Sequence, residues 1–89
     1  MRPCEFCLRE RLVTIHHLIP KSTWSKKGMQ RRYSKKEMRN RTIELCVDCH
    51  RCVHEFFDEK TLSKQFNTKE ALLANQAIIN FIEWCRRQK

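Results

Sequence analysis

The side chains best able to do chemistry in this sequence are its six cysteines and four histidines. Cys4-x-x-Cys7 and Cys46-x-x-Cys49 are two pairs of identical spacing. Two such knuckles, brought together from distant parts of a chain, supply the four thiolates of a tetrahedral zinc site. The competing readings are two disulfides or buried free thiols. Cys52, three residues after Cys49, is an alternative ligand, and Cys85 reads as a small core residue. The histidines come as His16-His17 and as His50 and His54. Residues i and i+4 share a helix face, so His50 and His54 can bind one ion together. In a strand His16 and His17 point opposite ways, so one can complete a metal site while the other acts as a base. The alternatives are ordinary surface or knuckle-supporting histidines, or a mixed Cys-Cys-His-His site.

These residues need a small scaffold to position them. Eighty-nine residues make a single domain, which this reading assigns to 1–89. So short a chain buries little of its surface and needs a staple. No apolar run is long enough for a membrane span, and the charged, cysteine-bearing start, Met1 to Glu10, does not read as a signal peptide. The expectation is an intracellular, cytoplasmic domain, with a disulfide-rich secreted fold disfavoured. One Gly and two Pro speak against disorder and against a glycine-cradled nucleotide site.

The spacing of residue types predicts an α+β architecture. Leu12 to Ile19 is rich in β-branched and apolar residues and stops at Pro20, which predicts a strand. Arg41 to Val47 reads as a second, short strand. His50 to Phe57 looks helical, and Leu62 to Phe66 reads as a short helical turn. From caps at Asn67 and Thr68, the spacing of Ala71, Ala74, Ile78, Phe81, Ile82 and Cys85 predicts one C-terminal packing helix. Helical structure is thus expected through 59–88.

Charge is concentrated. The sequence carries a formal +9, and Lys21 to Arg41 holds nine Lys or Arg against one acid, Glu37. This stretch reads largely as an exposed loop, with a short helix starting near Lys35 behind the Ser34/Glu37 capping box. Its basic residues Lys21, Lys26, Lys27, Arg31, Arg32, Lys35, Lys36 and Arg39 are candidates for contacts with a polyanion. Simple solvation is the plainer reading. Trp24 and Tyr33 read either as base-stacking groups or as anchors of the loop to the core.

The run His16-His17-Leu18-Ile19-Pro20, with Leu45-Cys46-x-x-Cys49-His50-x-x-x-His54 downstream, resembles the HNH endonucleases. These are metal-dependent nucleases of the ββα-metal (His-Me finger) fold, often with a four-cysteine zinc site. The resemblance covers residues 4–54, and Cys4-x-x-Cys7 fits its first zinc knuckle. It implies a general base at His17, metal ligands at His16 and His50, and a third ligand at His54, as in the colicin-type enzymes. The family's middle Asn falls nine residues before His50, where this chain has Arg41, with Asn40 one residue earlier. Either Asn40 serves by a one-residue shift, or Arg41 replaces it and adds charge near the phosphate, or activity is weakened.

The activity so implied is hydrolysis of DNA phosphodiester bonds to 5′-phosphate and 3′-hydroxyl ends, with RNA left open as a substrate. A structural Zn²⁺ and a separate catalytic divalent ion are expected. Three imidazoles without a carboxylate favour Mn²⁺, Ni²⁺ or Co²⁺ over Mg²⁺, and Zn²⁺ also suits them. The carboxylates of Asp48, Glu55 and Asp58 lie near enough in sequence to modify that preference. A rival of a different class is a non-catalytic, zinc-stapled nucleic-acid-binding module. A third is a toxin-like nuclease or a subunit of a larger DNA-processing complex. A monomer or a homodimer fits the length.

Overall fold

The computed structural model describes residues 1–88. The chain opens with a feature too short to carry any periodicity. Strand β1 (Arg2–Pro3) pairs antiparallel with β2 (Glu10–Arg11). Between them the first knuckle turns back on itself: the Cys4 N–H donates to the Arg9 carbonyl, and the Leu8 N–H to the Cys4 carbonyl, both at 3.0 Å. Leu8 closes this turn at φ 65°, in the left-handed region.

The second sheet positions the histidines. Strand β3 (Val13–His17) pairs antiparallel with β4 (Thr42–Cys46), in a register that sets Val13 opposite Cys46 and His17 opposite Thr42. The first expected strand is thus trimmed at both ends. Leu18 still donates its N–H to the Arg41 carbonyl at 2.9 Å, while Ile19 and Pro20 turn into the interior. Helix α3 (Val47–Phe56) follows β4 without a linker and packs on both strands. It begins three residues earlier than its sequence suggested. Cys46 is its N-cap, with Sγ accepting from the Cys49 N–H at 3.5 Å. The second knuckle is therefore also a helix start.

The basic stretch is largely exposed, as expected, but it is mostly helical where a loop with one short helix near Lys35 was expected. It folds into a 3₁₀ turn (Lys21–Thr23), α1 (Lys27–Arg32) and α2 (Lys35–Asn40). Met29 and Met38 bury with Ile19 in a second small core, against which Trp24 and Tyr33 pack. Two buried methionines among so many cations give no visible hydrophobic period. The Ser34 cap stands as expected, with Oγ accepting from the Glu37 N–H at 3.0 Å. Trp24 donates its indole N–H to the Ile19 carbonyl at 2.7 Å, and the Tyr33 hydroxyl accepts from Asn67 at 3.0 Å. Both aromatics are anchors of this segment.

The C-terminal third is three helices, α4 (Glu59–Gln65), α5 (Lys69–Leu73) and α6 (Gln76–Arg87). The single helix expected after Asn67 is broken at Asn75. The Asn75 side chain accepts from the Ala77 and Ile78 N–H groups, so it starts a new helix. Thr68 caps α5, whereas Asn67 instead donates to Tyr33 and to the Ser63 carbonyl. Ile78, Ile82 and Cys85 form the buried face of α6, which packs on α3. The main core gathers Leu45, Val53, Leu62 and Leu72 around the cysteines. The result is an α+β fold of two two-stranded sheets and six α-helices among the described residues. None of these helices is long and apolar enough to cross a membrane.

An L-residue in the left-handed region costs about 1–2 kcal/mol, which glycine avoids at the expense of backbone entropy. Leu8 is 62% exposed and so gives up little burial when truncated. Leu8→Gly should therefore stabilise the zinc-loaded protein by roughly 0.5–1 kcal/mol. Urea unfolding measures this, and a lower midpoint would mean that the Leu8 side chain holds the turn.

Candidate metal centres

Two groups of ligand atoms form in the folded chain. The first is Cys4, Cys7, Cys46 and Cys49, all buried, with their sulfurs within 4.8 Å of one another. Four sulfurs about 2.3 Å from a tetrahedral zinc lie about 3.8 Å apart. Cys7 Sγ and Cys46 Sγ are 3.8 Å apart. All six cysteines are free thiols, and Cys52 stands outside the group, so the disulfide reading and the Cys52 alternative both fall away. Burial holds the Cys52 thiol up to about 12, and Cys85 is fully buried in the core, as expected.

Thiols this close compete for one negative charge. The Cys49 S–H donates to Cys4, which lowers Cys4 to about 4 and pushes Cys49 up. A divalent cation removes that conflict by holding all four as thiolates. The donor set fits a structural metal such as zinc, and this filling takes the formal charge from +9 to about +7. Arg9, an ordinary surface residue type in the sequence, supports the site. Its Nε donates to Cys7 Sγ at 3.3 Å and its Nη2 to Cys46 Sγ at 3.9 Å. It also pairs with Asp48 at 3.6 Å. A cation donating to coordinated thiolates offsets their excess charge.

The second group is His16, His50 and His54. His16 comes from β3 and the other two from successive turns of α3. Their ring centroids form a nearly equilateral triangle, at 5.1, 5.2 and 5.0 Å. His16 is completely buried, and neither of its ring nitrogens has a hydrogen-bond partner. An imidazole left so costs about 1–3 kcal/mol for each unsatisfied group, unless a metal takes the lone pair. Burial, followed by the charges of His50 and His54, holds His16 down to about 3. Burial first and His54 second also lower His50. Neutral imidazoles are the form that binds a cation.

Thr14 sets the tautomer of His50. Its hydroxyl lies 3.2 Å from the Leu45 carbonyl, to which it donates, and 2.6 Å from His50 Nδ1. A hydroxyl has one proton, so Nδ1 must donate to Thr14. That leaves Nε2 of His50 as a free lone pair for a metal. Alternating sequence identities hid Thr14 beneath the strand pattern; only the register opposite Leu45 brings it to His50.

The remaining predicted residues are dispersed. His17, on the other side of β3, lies with its ring 5.8 Å from that of Trp24. Burial, and then the charge of Lys21, lowers it from its ordinary value of 6.5. Arg41 occupies the position before β4, and its carbonyl accepts from Leu18, next to His17. Its guanidinium is bonded to Glu37 and to Asn67 and lies over the Tyr33 ring. Asn40 ends α2, exposed. Asp48 is engaged by Arg9 and Asp58 caps α4, and no carboxylate joins the histidine group among the described residues. Lys21, Lys26, Lys27, Arg31, Arg32, Lys35, Lys36 and Arg39 are all exposed.

Comparison with known proteins finds a relative in Bacillus subtilis (strain 168), "Uncharacterized protein YisB". It is 27% identical over 89 residues, spanning 96% of this chain and 74% of that protein. No family model matches the chain. No solved structure matches it.

Two measurements probe the histidine group. Between about pH 3 and 6.5 the unfolded chain protonates His16 while the fold keeps it neutral. The folded value is the depressed one, so stability is full above pH 6.5 and falls as pH drops through this window. On lowering the pH from 7.5 to 5.5, zinc-loaded His16→Leu should lose about 1.4 kcal/mol less than wild type. Equal losses in urea titrations would show that His16 is protonated in the fold. Thr14→Val should weaken Ni²⁺ binding at the histidines by roughly 10–100-fold, with Thr14→Ser restoring it. Calorimetric titration of the zinc-loaded protein reads this directly, and an unchanged affinity for Thr14→Val would remove Thr14 from the site.

Proposed function

We propose that this chain is a metal-dependent endonuclease of the HNH type that hydrolyses DNA phosphodiester bonds. The observation that carries the reading is the convergence of His50 and His54 on a buried, unpartnered His16, with His17 adjacent in the chain. A structural metal site needs four closed ligands, whereas three leave coordination positions for water and substrate. Bound there, a divalent ion would supply Lewis-acid stabilisation of the scissile phosphate and the leaving 3′-oxygen.

The chain's own part is proton transfer and positioning. His17 takes a proton from the attacking water, and its lowered pKa keeps it neutral and able to do so at pH 7. The Leu18–Arg41 backbone bond and the pairing of His17 with Thr42 hold the base in place. Thr14 holds His50 in the metal-binding tautomer. The exposed cations of the 21–41 segment neutralise backbone phosphates without reading sequence. Three imidazole ligands favour Mn²⁺, Ni²⁺ or Co²⁺ over the oxygen-seeking Mg²⁺.

Nicking of supercoiled plasmid by wild type and His17→Ala, across Mg²⁺, Mn²⁺, Ni²⁺, Co²⁺ and Zn²⁺, tests the proposal. The expected result is metal-dependent nicking that falls by about 10²–10⁴-fold in His17→Ala, with folding and DNA binding retained. Fastest cleavage with Mg²⁺ would overturn the three-histidine ligand set. Intact DNA binding without nicking in any metal would leave a zinc-stapled binding module. Replacement of the family's Asn by Arg41, whose guanidinium is committed elsewhere, is the observation that favours this second reading.

A further inference from the structure

A cleft of about 470 Å³ opens between the basic segment and the C-terminal third. Lys26, Lys27 and Arg32 stand on the α1 side, and Lys60 and Lys64, one turn apart on α4, stand opposite. No carboxylate lines the cleft. None of the five cations belongs to an ion pair: the pairs among the described residues are Arg2–Glu44, Arg9–Asp48, Arg41–Glu37 and Lys69–Glu5. Glu59, the neighbour of Lys60, is bonded to the Ser22 hydroxyl, and that contact ties α4 to the 3₁₀ turn. Five like charges held around one concave surface repel each other, and an anion in the cleft reverses that cost.

The chemistry of the walls narrows the anion. No aromatic ring lines the cleft to stack a base. The two buried hydroxyls in its lining have committed their protons, Thr23 to the Pro20 carbonyl and Ser63 to the Lys60 carbonyl. The cleft therefore presents charge without a means of reading a base edge. Four of its five cations are lysines, which act as point charges toward phosphate. Its position is as informative. Thr23 ends the 3₁₀ turn that begins at Lys21, and the neighbouring Trp24 touches the His17 ring.

We infer that this cleft is a second contact site for a nucleic-acid backbone, in which Lys60 and Lys64 of α4 close on a phosphodiester from the side opposite Lys26, Lys27 and Arg32. The inference rests on the nuclease reading. It adds the C-terminal third to the substrate-binding surface.

The test is fluorescence anisotropy with a labelled DNA duplex and the full, zinc-loaded chain. It is run over a KCl series without other divalent ions, alongside the plasmid nicking assay. Lys60→Gln/Lys64→Gln is compared with Arg86→Gln/Arg87→Gln, an exposed pair on α6 that lowers the net charge equally. The expected result is a salt dependence of log K that is shallower by about 2, one for each lysine, on duplexes of any sequence. The α6 pair should leave the slope unchanged. Equal slopes for the two double variants, with wild type still nicking DNA, would overturn the cleft and leave the nuclease standing. Wild type that neither binds nor nicks would overturn both. Inorganic pyrophosphate is titrated in parallel. If it binds wild type and is lost in Lys60→Gln/Lys64→Gln while duplex binding is unchanged, the cleft takes free phosphate compounds and the backbone assignment is wrong.

Discussion

The convergence of four cysteine sulfurs governs the geometry of everything downstream. Cys46 ends β4, caps α3 and belongs to the cysteine group. Those three roles cannot be varied independently. Bringing Cys46 to Cys4 and Cys7 sets where β4 stops and the axis along which α3 departs. The axis of α3 in turn sets where His50 and His54 face. A chain of 89 residues has too little core to hold so short a helix and a two-stranded sheet by burial alone. A metal in the thiol group would bind the folded chain and not the unfolded one, so its binding free energy would become folding free energy.

Consecutive residues on α3 then belong to two different groups of ligand atoms. Cys49 turns inward to the thiols, while His50, about 100° further round the helix, turns toward β3. Because His50 and His54 lie one turn apart, they reach the same side, where the β3–β4 register delivers His16. Strand alternation separates His16 from His17. It gives one imidazole an enclosed site and the other a half-exposed place beside Trp24 and Lys21. Two adjacent and chemically identical residues thus acquire different environments from a period of two.

Much of this was legible in residue spacing. The paired knuckles, the strand carrying His16 and His17, and the i, i+4 histidines each imply their neighbours locally, and the structure assembles both ligand groups that they suggested. What escaped the sequence depends on contacts between distant residues. Arg9 and Thr14 are ordinary surface types until the fold places them 3.3 Å from Cys7 and 2.6 Å from His50. The helices of the basic stretch were masked because their apolar content is only Met29 and Met38, and helical periodicity needs more than one buried position in each helix to be seen. The split between α5 and α6 is hidden for the opposite reason. Apolar residues continue through Ala74, and only the cap made by Asn75 shows that the backbone restarts.

Arg41 shows how a position can keep its backbone role while its side chain takes another. Its carbonyl completes the pairing beyond His17 by accepting from Leu18, a contact that any residue type can make. The side chain is then free to act elsewhere. Its guanidinium reaches Asn67 at the start of the C-terminal third, pairs with Glu37 and lies 4.8 Å from the Tyr33 ring centroid. Asn67 in turn donates to the Tyr33 hydroxyl. One residue therefore joins the strand bearing His17, the basic helices and the C-terminal helices. An Asn side chain is too short to span the same three elements. The basic segment, with its small core of Ile19, Met29 and Met38, is joined to the rest of the molecule by these contacts and by the Ser22–Glu59 bond. The Arg41 contacts account for an arginine before β4 without requiring its charge at the histidine group.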